Sequence, residues 1–160
     1  MRTTNLLPAI LITVLFGLIG NNCYAQATAK TELDEAKEAI AASNAIYFKS
    51  FEKNDPSIFV DRYAEDCFIM MPNAPAIKGH DGALAFFKVG YNDIGLRGGK
   101  FITTEVYGLG NGYVAEEGFW QSFDKNNKMF DDGKFLVLWK KTAKGWKMFR
   151  DSFSSNHSAK

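Results

Sequence analysis

Cysteine and histidine are nearly absent from this 160-residue sequence, with two of each. His80 and His157 lie far apart and the acidic residues show no ligand spacing, so neither a metal nor a cofactor is expected. Charge of one sign is missing too. With 19 Lys and Arg against 18 Asp and Glu, the chain has no basic stripe of the kind that nucleic acid requires. No internal repeat, low-complexity stretch or nucleophile elbow is present. The glycines Gly108, Gly110 and Gly112 link two strand candidates instead of opening a helix, which removes a dinucleotide site. What the chain does have is apolar mass, 46% of its residues with 14% aromatic, enough for the core of a single domain.

The longest apolar run, Leu6 to Ile19, follows Arg2 and is broken by Pro8, Thr13 and Gly17. It is too short to span a bilayer comfortably. Cys23-Tyr24-Ala25 offers small residues where a signal peptidase reads, so residues 1–25 are expected to be a signal peptide cleaved before Gln26, and the mature protein to be periplasmic or secreted. Asn21 and Asn22 before Cys23 do not fit a lipid-modification signal. Cleavage leaves 18 basic and 18 acidic residues and a single cysteine, Cys67. That thiol is either a buried strand residue, the half of an inter-chain disulfide, or a nucleophile.

From Thr31 to Asn54, Leu33, Ala36, Ile40, Asn44, Tyr47 and Phe51 recur at steps of three and four, the signature of a long amphipathic helix. Asp55-Pro56 supplies a cap and a first-turn proline for a short second helix reaching about Ala64. Cys67 to Met71 and the segment around Ile77 predict a small hairpin, and a third helix is expected over Asp81 to Asn92. Beyond Gly99 the period becomes two, giving strands over Phe101–Tyr107, Tyr113–Phe123, Lys134–Lys141 and Trp146–Ser154. Asn111-Gly112 is a type I′ hairpin signal, Asp131-Asp132-Gly133 is read as the end of a polar loop, and Lys144-Gly145 turns into the last strand. The apolar stretch Phe135–Trp139 predicts a central strand covered on either side. Helices followed by a long, curling, mainly antiparallel sheet make an α+β domain over residues 26–160.

Tyr63-Ala64-Glu65-Asp66, Met71-Pro72-Asn73, Glu116-x-Gly118, Asp132 to Lys141 and Gly145-Trp146-Lys147-x-x-Arg150-Asp151, in this order, resemble the SnoaL-like, ketosteroid-isomerase-related branch of the nuclear transport factor 2-like superfamily. The resemblance covers nearly all of residues 26–160. It implies a cone-shaped, cystatin-like fold, three helices against a strongly curved sheet, with a pocket at the open end and frequent dimers. In the steroid isomerases of that branch a helix tyrosine and a strand aspartic acid bind the developing oxyanion while an aspartate before a proline is the base. By spacing the tyrosine corresponds to Tyr47, which is present. The base corresponds to Met71 and the second acid to a position near Leu136, neither of which can carry a proton, so that mechanism is not expected.

Strand alternation places Val114, Glu116, Gly118, Trp120 and Ser122 on one face and Glu117 and Phe119 on the other, and the resemblance selects the Glu116 face as the inner one. Glu116 is either a general acid or base made effective by desolvation, or half of a buried bridge with Lys134 or Arg150. Asp151 alternates with Phe149 and Phe153, opposite Arg150, and is read as either structural or catalytic, accepting a hydrogen bond from backbone or from Tyr47. The expected function is binding of a small, largely apolar or mixed-polarity molecule. Tyr47, Glu116 and Asp151 are the candidate catalytic groups, and Met71, Asn73, Trp120 and Trp139 the candidate ligand contacts. If the protein is an enzyme, it is a cofactor-independent isomerase, lyase or cyclase working by proton transfer. The alternative is a non-catalytic interaction module. A homodimer through the outer sheet face is expected in either case.

Overall fold

The computed structural model describes residues 31–158. The expected signal peptide over residues 1–25 lies outside the described residues. Helix α1 runs through residue 47 and buries Ala36, Ile40 and Tyr47 along one stripe. The helix expected to continue to Asn54 is interrupted at Phe48 and resumes as α2 (Lys49–Lys53), which stops at Asn54 in the left-handed conformation, φ 51°. Asparagine is one of the few side chains that accepts this geometry readily. Asp55 then caps α3 (Pro56–Val60), its carboxylate accepting from the Ser57 amide at 3.0 Å.

Helix α3 ends short of the expected Ala64 because Tyr63 and Ala64 belong to the first strand, β1 (Tyr63–Met70). The cause is tertiary. The last strand captures this segment, pairing Tyr63 with Met148 and placing the Met148 amide 2.9 Å from the Arg62 carbonyl, which outweighs the local preference for another helical turn. Strand β2 (Ile77–Lys78) completes the expected hairpin with β1. Helix α4 (Gly79–Val89) follows and passes into a single π-helical turn, Gly90–Ile94.

Strands β3 (Gly98–Gly110), β4 (Tyr113–Phe123), β5 (Met129–Thr142) and β6 (Gly145–Ser155) form the antiparallel meander that the alternation predicts. Among the described residues the sheet holds six strands in the order β2-β1-β6-β5-β4-β3, and β1 joins β6 in parallel. The β3–β4 turn carries Asn111 at φ 54° and Gly112 at φ 75°, as a type I′ turn demands. Asp131-Asp132-Gly133 is not a loop. All three pair with β4, opposite Ser122, Gln121 and Trp120, and the turn lies before them, where the Asp124 carboxylate accepts from the Asn126 and Lys128 amides. The two aspartates tolerate the strand because Ser155 donates to Asp131 at 2.7 Å and Asn156 to Asp132 at 2.8 Å.

Register shifts leave unpaired residues in β1, β3, β5 and β6, and bulges of this kind bend strands. The sheet therefore curls around the helices, an α+β cone. Its core is aromatic: Phe51 stacks on Phe87 with centroids 4.7 Å apart, and Tyr47 meets Phe59 at 5.0 Å and Phe101 at 4.9 Å. Such pairs each add about 0.5–1.5 kcal/mol beyond their buried area. Strand β5 is central and turns Phe135, Val137 and Trp139 inward, but the expected cover on its other face is missing among the described residues. Leu136 is 53% exposed there, beside Phe119 at 49% and Ile102 at 41%.

Candidate functional site

Curling the sheet over α1 and α4 leaves a cavity of about 140 Å³ at one end of the cone. Its apolar wall comes from Tyr47 and Phe48 on the helical side and from Phe101, Trp120, Phe135 and Phe153 on four successive strands. Gly90 and Ile94, the ends of the π-helical turn, and Phe130 line it as well, and Ile94 is 58% exposed. A cavity of this size accepts about one benzene-sized ring. Gly133 makes the wall possible. A side-chain carbon there would lie 2.5 Å from the Trp120 ring and 2.0 Å from the Ser154 carbonyl, so only glycine lets the indole lie across β5.

One carboxyl sits among these rings and is itself buried: Asp151, 7% exposed. Its Oδ2 accepts from the Tyr63 hydroxyl at 2.7 Å, and the Tyr47 phenol stands close enough to feel the charge of Asp151 and to act on Tyr63. One phenol is thus bonded to the acid and a second stands beside it. Tyr63 is wholly within the core, and burial together with the Asp151 charge pushes both phenols well above their ordinary range, so each remains a proton donor at neutral pH. Burial likewise pushes the Asp151 carboxyl up to about 6, opposed by the Tyr63 hydrogen bond and reinforced by the negative charge of Glu116. A carboxyl near 6 inside an apolar cavity changes protonation close to neutrality, the property a general acid or base needs.

Asp151 reaches this position through a bulge. Trp139 pairs with Met148 and Leu138 with Arg150, which leaves Phe149 unpaired. Met148 and Asp151 are consequently both buried, and the expected sharing of one face by Phe149 and Asp151 is corrected: Phe149 stacks with Arg150 instead, the guanidinium 3.6 Å from its ring centroid.

Glu116 occupies a different place. It is 1% exposed and does not line the cavity. Oε1 accepts from Asn44 at 2.7 Å and from Thr103 at 2.6 Å, and Oε2 from the Trp139 indole at 2.9 Å. Three neutral donors from α1, β3 and β5 therefore converge on one strand-β4 carboxylate, and burial still raises its pKa against them. Neither expected cation reaches it: Lys134 donates to Asn156, and Arg150 to the Asp66 and Phe149 carbonyls. Glu116 is a clamp between helix and sheet, and Trp139 is one of its partners.

Of the residues singled out from sequence, the fold brings Tyr47, Trp120 and Asp151 to one cavity and sets Glu116 and Trp139 behind it. Met71 is half-buried against the core and Asn73 is exposed in the β1–β2 turn at φ 57°; neither lines the cavity. Cys67 is fully buried and burial raises its thiol pKa, which removes the reactive and inter-chain readings. Two partners escaped the sequence: Tyr63, assigned to a helix end, and Asn44, whose polar amide inside an otherwise apolar helical stripe was the available signal.

The burial of Asp151 has a measurable consequence. Between about pH 4 and about pH 6 the folded chain retains a proton that the unfolded chain releases, so stability falls as pH rises through this window. An ordinary value of 3.8 moved to about 6 corresponds to about 3 kcal/mol. Urea unfolding across this range measures the slope, and Asp151→Asn is expected to flatten it.

No protein-family model and no curated protein matches the chain. Solved structures do. An NTF-2-like protein of unknown function from Shewanella oneidensis MR-1 shares 21% identity over 74% of this chain and 98% of its own, with a TM-score of 0.62. A ketosteroid isomerase-like protein from Erwinia carotovora atroseptica shares 19% over 79% and 98%, at 0.61. A domain of unknown function with a cystatin-like fold from Nostoc punctiforme shares 13% over 77% and 78%, at 0.66. At these identities the likeness is one of fold.

Proposed function

We propose, from a chain with the cystatin-like, nuclear transport factor 2-like fold, an exported protein that binds a small, largely apolar molecule with a polar group in the cone cavity, against Asp151 and Tyr47. The observation that carries this reading is one buried carboxyl, held by the Tyr63 hydroxyl and with Tyr47 beside it, at the edge of an aromatic cavity. A purely structural core would gain nothing from an acid there, because an unpaired buried charge is destabilising. The same arrangement supplies proton transfer without a cofactor: Asp151 takes a proton from the bound molecule, and the Tyr47 hydroxyl donates to the oxygen on which charge develops. Isomerisation, elimination and cyclisation through an enolate all fit that pair. The cavity volume favours a single-ring substrate over a steroid.

The second reading is an assembly module. Ile102, Phe119 and Leu136 expose apolar surface on the outer sheet face, flanked by Glu117 and Lys134. A two-fold dimer that sets Glu117 of each copy against Lys134 of the other covers it. Such a dimer is compatible with ligand binding, and Leu136→Asp is expected to convert it to monomer in light scattering at micromolar concentration while leaving the cavity intact.

Native mass spectrometry of the exported protein tests the whole reading at once. The expected spectrum shows a chain beginning at Gln26, a dimer, and a retained small molecule that Asp151→Asn loses. A dimer without any retained molecule, unchanged by Asp151→Asn, selects the assembly module.

A further inference from the structure

The charges of the cavity are of one sign. Besides Asp151, the Asp131 carboxylate lines it, on β5 opposite Ser122. No lysine, arginine or histidine lines it among the described residues. Most of the rest of the wall is apolar, and Tyr47, Phe86, Phe101, Trp120, Phe130 and Phe153 are among the side chains that line it, with Ile94, Leu96 and Ser122. Neither acid is paired with a cation among the described residues: Asp131 accepts from the Ser155 hydroxyl and the Asp132 amide, and Asp151 from the Tyr63 hydroxyl.

Two carboxylates among aromatic side chains repel an anion, leave a neutral apolar molecule without use for the charges, and attract a cation. We infer that the ligand of this cavity is a small amine, positively charged at neutral pH, whose ammonium pairs with Asp151 while its apolar body fills the space between the rings. This deepens the binding reading above and rests on it.

The groups around Asp151 agree with that assignment. Tyr47 from α1 and Tyr63 from β1 face it as neutral donors, Cys67 on β1 stays protonated, and Glu116 on β4 adds negative potential from behind the wall. None supplies the missing positive charge. An ammonium seated beside Asp151 stabilises the ionised carboxylate, so ligand binding and the deprotonation of Asp151 reinforce each other.

Benzylamine and benzyl alcohol have nearly the same shape and differ in charge, and titrating each into the mature protein by amide NMR separates the possibilities. Benzylamine is expected to bind at least 10-fold more tightly than benzyl alcohol at pH 7.5, with shifts at Gly90, Trp120 and Phe153. The preference is expected to collapse at pH 5, where Asp151 is protonated while the amine keeps its charge. Asp151→Asn is expected to abolish it at pH 7.5, and the pH comparison on the unaltered protein gives the same answer if that variant does not fold. Equal affinity for the two probes, or tighter binding of the alcohol, overturns the amine assignment and leaves the cavity reading standing. Absence of shifts at cavity residues with either probe overturns both.

Discussion

Glu116→Leu is expected to destabilise the protein by about 3 kcal/mol, whereas Glu116→Gln costs less than about 1 kcal/mol. Leucine fills the volume but strands three donors. Asn44 and Thr103 lie near enough to the surface to turn toward water, while the Trp139 indole is fully buried and has nowhere to turn. Glutamine retains an acceptor for the indole if its oxygen faces Trp139, and its amide nitrogen then donates to Thr103 and to a flipped Asn44. A buried bridge predicts the opposite pattern, since neutralising Glu116 would orphan a cation at about 3–5 kcal/mol. No cation stands there among the described residues. Thermal melting of the two variants distinguishes the arrangements, and equal losses in both would contradict the geometry described.

Gly133→Ala is expected to have the largest effect of a single added methyl, about 3 kcal/mol, with loss of the cavity. The new carbon would sit 2.0 Å from the Ser154 carbonyl, which is backbone and held in the β5–β6 ladder, and 2.5 Å from the Trp120 ring. Neither moves cheaply. Overpacking of this kind commonly costs 1–3 kcal/mol, and here two strands and a cavity wall must shift together. Gly108→Ala serves as the control: its nearest neighbour atom would be 3.8 Å away, in ordinary contact with Leu33. Chemical denaturation should show a large loss for the first and a change within about 0.5 kcal/mol for the second.

These two glycines also mark where sequence legibility stops. The hairpin at Asn111-Gly112, the cap at Asp55 and the four-strand meander were all readable, because each depends on neighbours a few residues apart. Asp131-Asp132-Gly133 carries the same turn chemistry and yet lies in a strand, since Ser155, Asn156 and Trp120, none of them local, satisfy what the three residues would otherwise seek in a turn. Tyr63 fits a helix end locally and joins a strand only because β6 is there to receive it. Strand alternation sorted Glu116 from Glu117 correctly but said nothing about which face is concave. It failed at Asp151, where the bulge at Phe149 reverses the count of faces along β6 without leaving a mark in the periodicity. The buried acid of the cavity is thus one of two candidates that the sequence offers, and only the three-dimensional pairing separates them.

The parallel junction of β1 with β6 has a bearing on how the protein is made. Tyr63 and Asp151 are 88 positions apart, and strands β2, β3, β4 and β5 all lie between them in the chain. A chain emerging amino end first presents α1, α4 and β1 long before β6 exists, and closure over so long a loop is slow. Until then Tyr63, Cys67 and Ile69 have no strand beside them on the β6 side. The site therefore does not mature gradually during synthesis. It comes into being in one late event, when the final strand docks, and a chain that stops before Asp151 has helices, a hairpin and most of a meander but lacks the buried acid of its cavity.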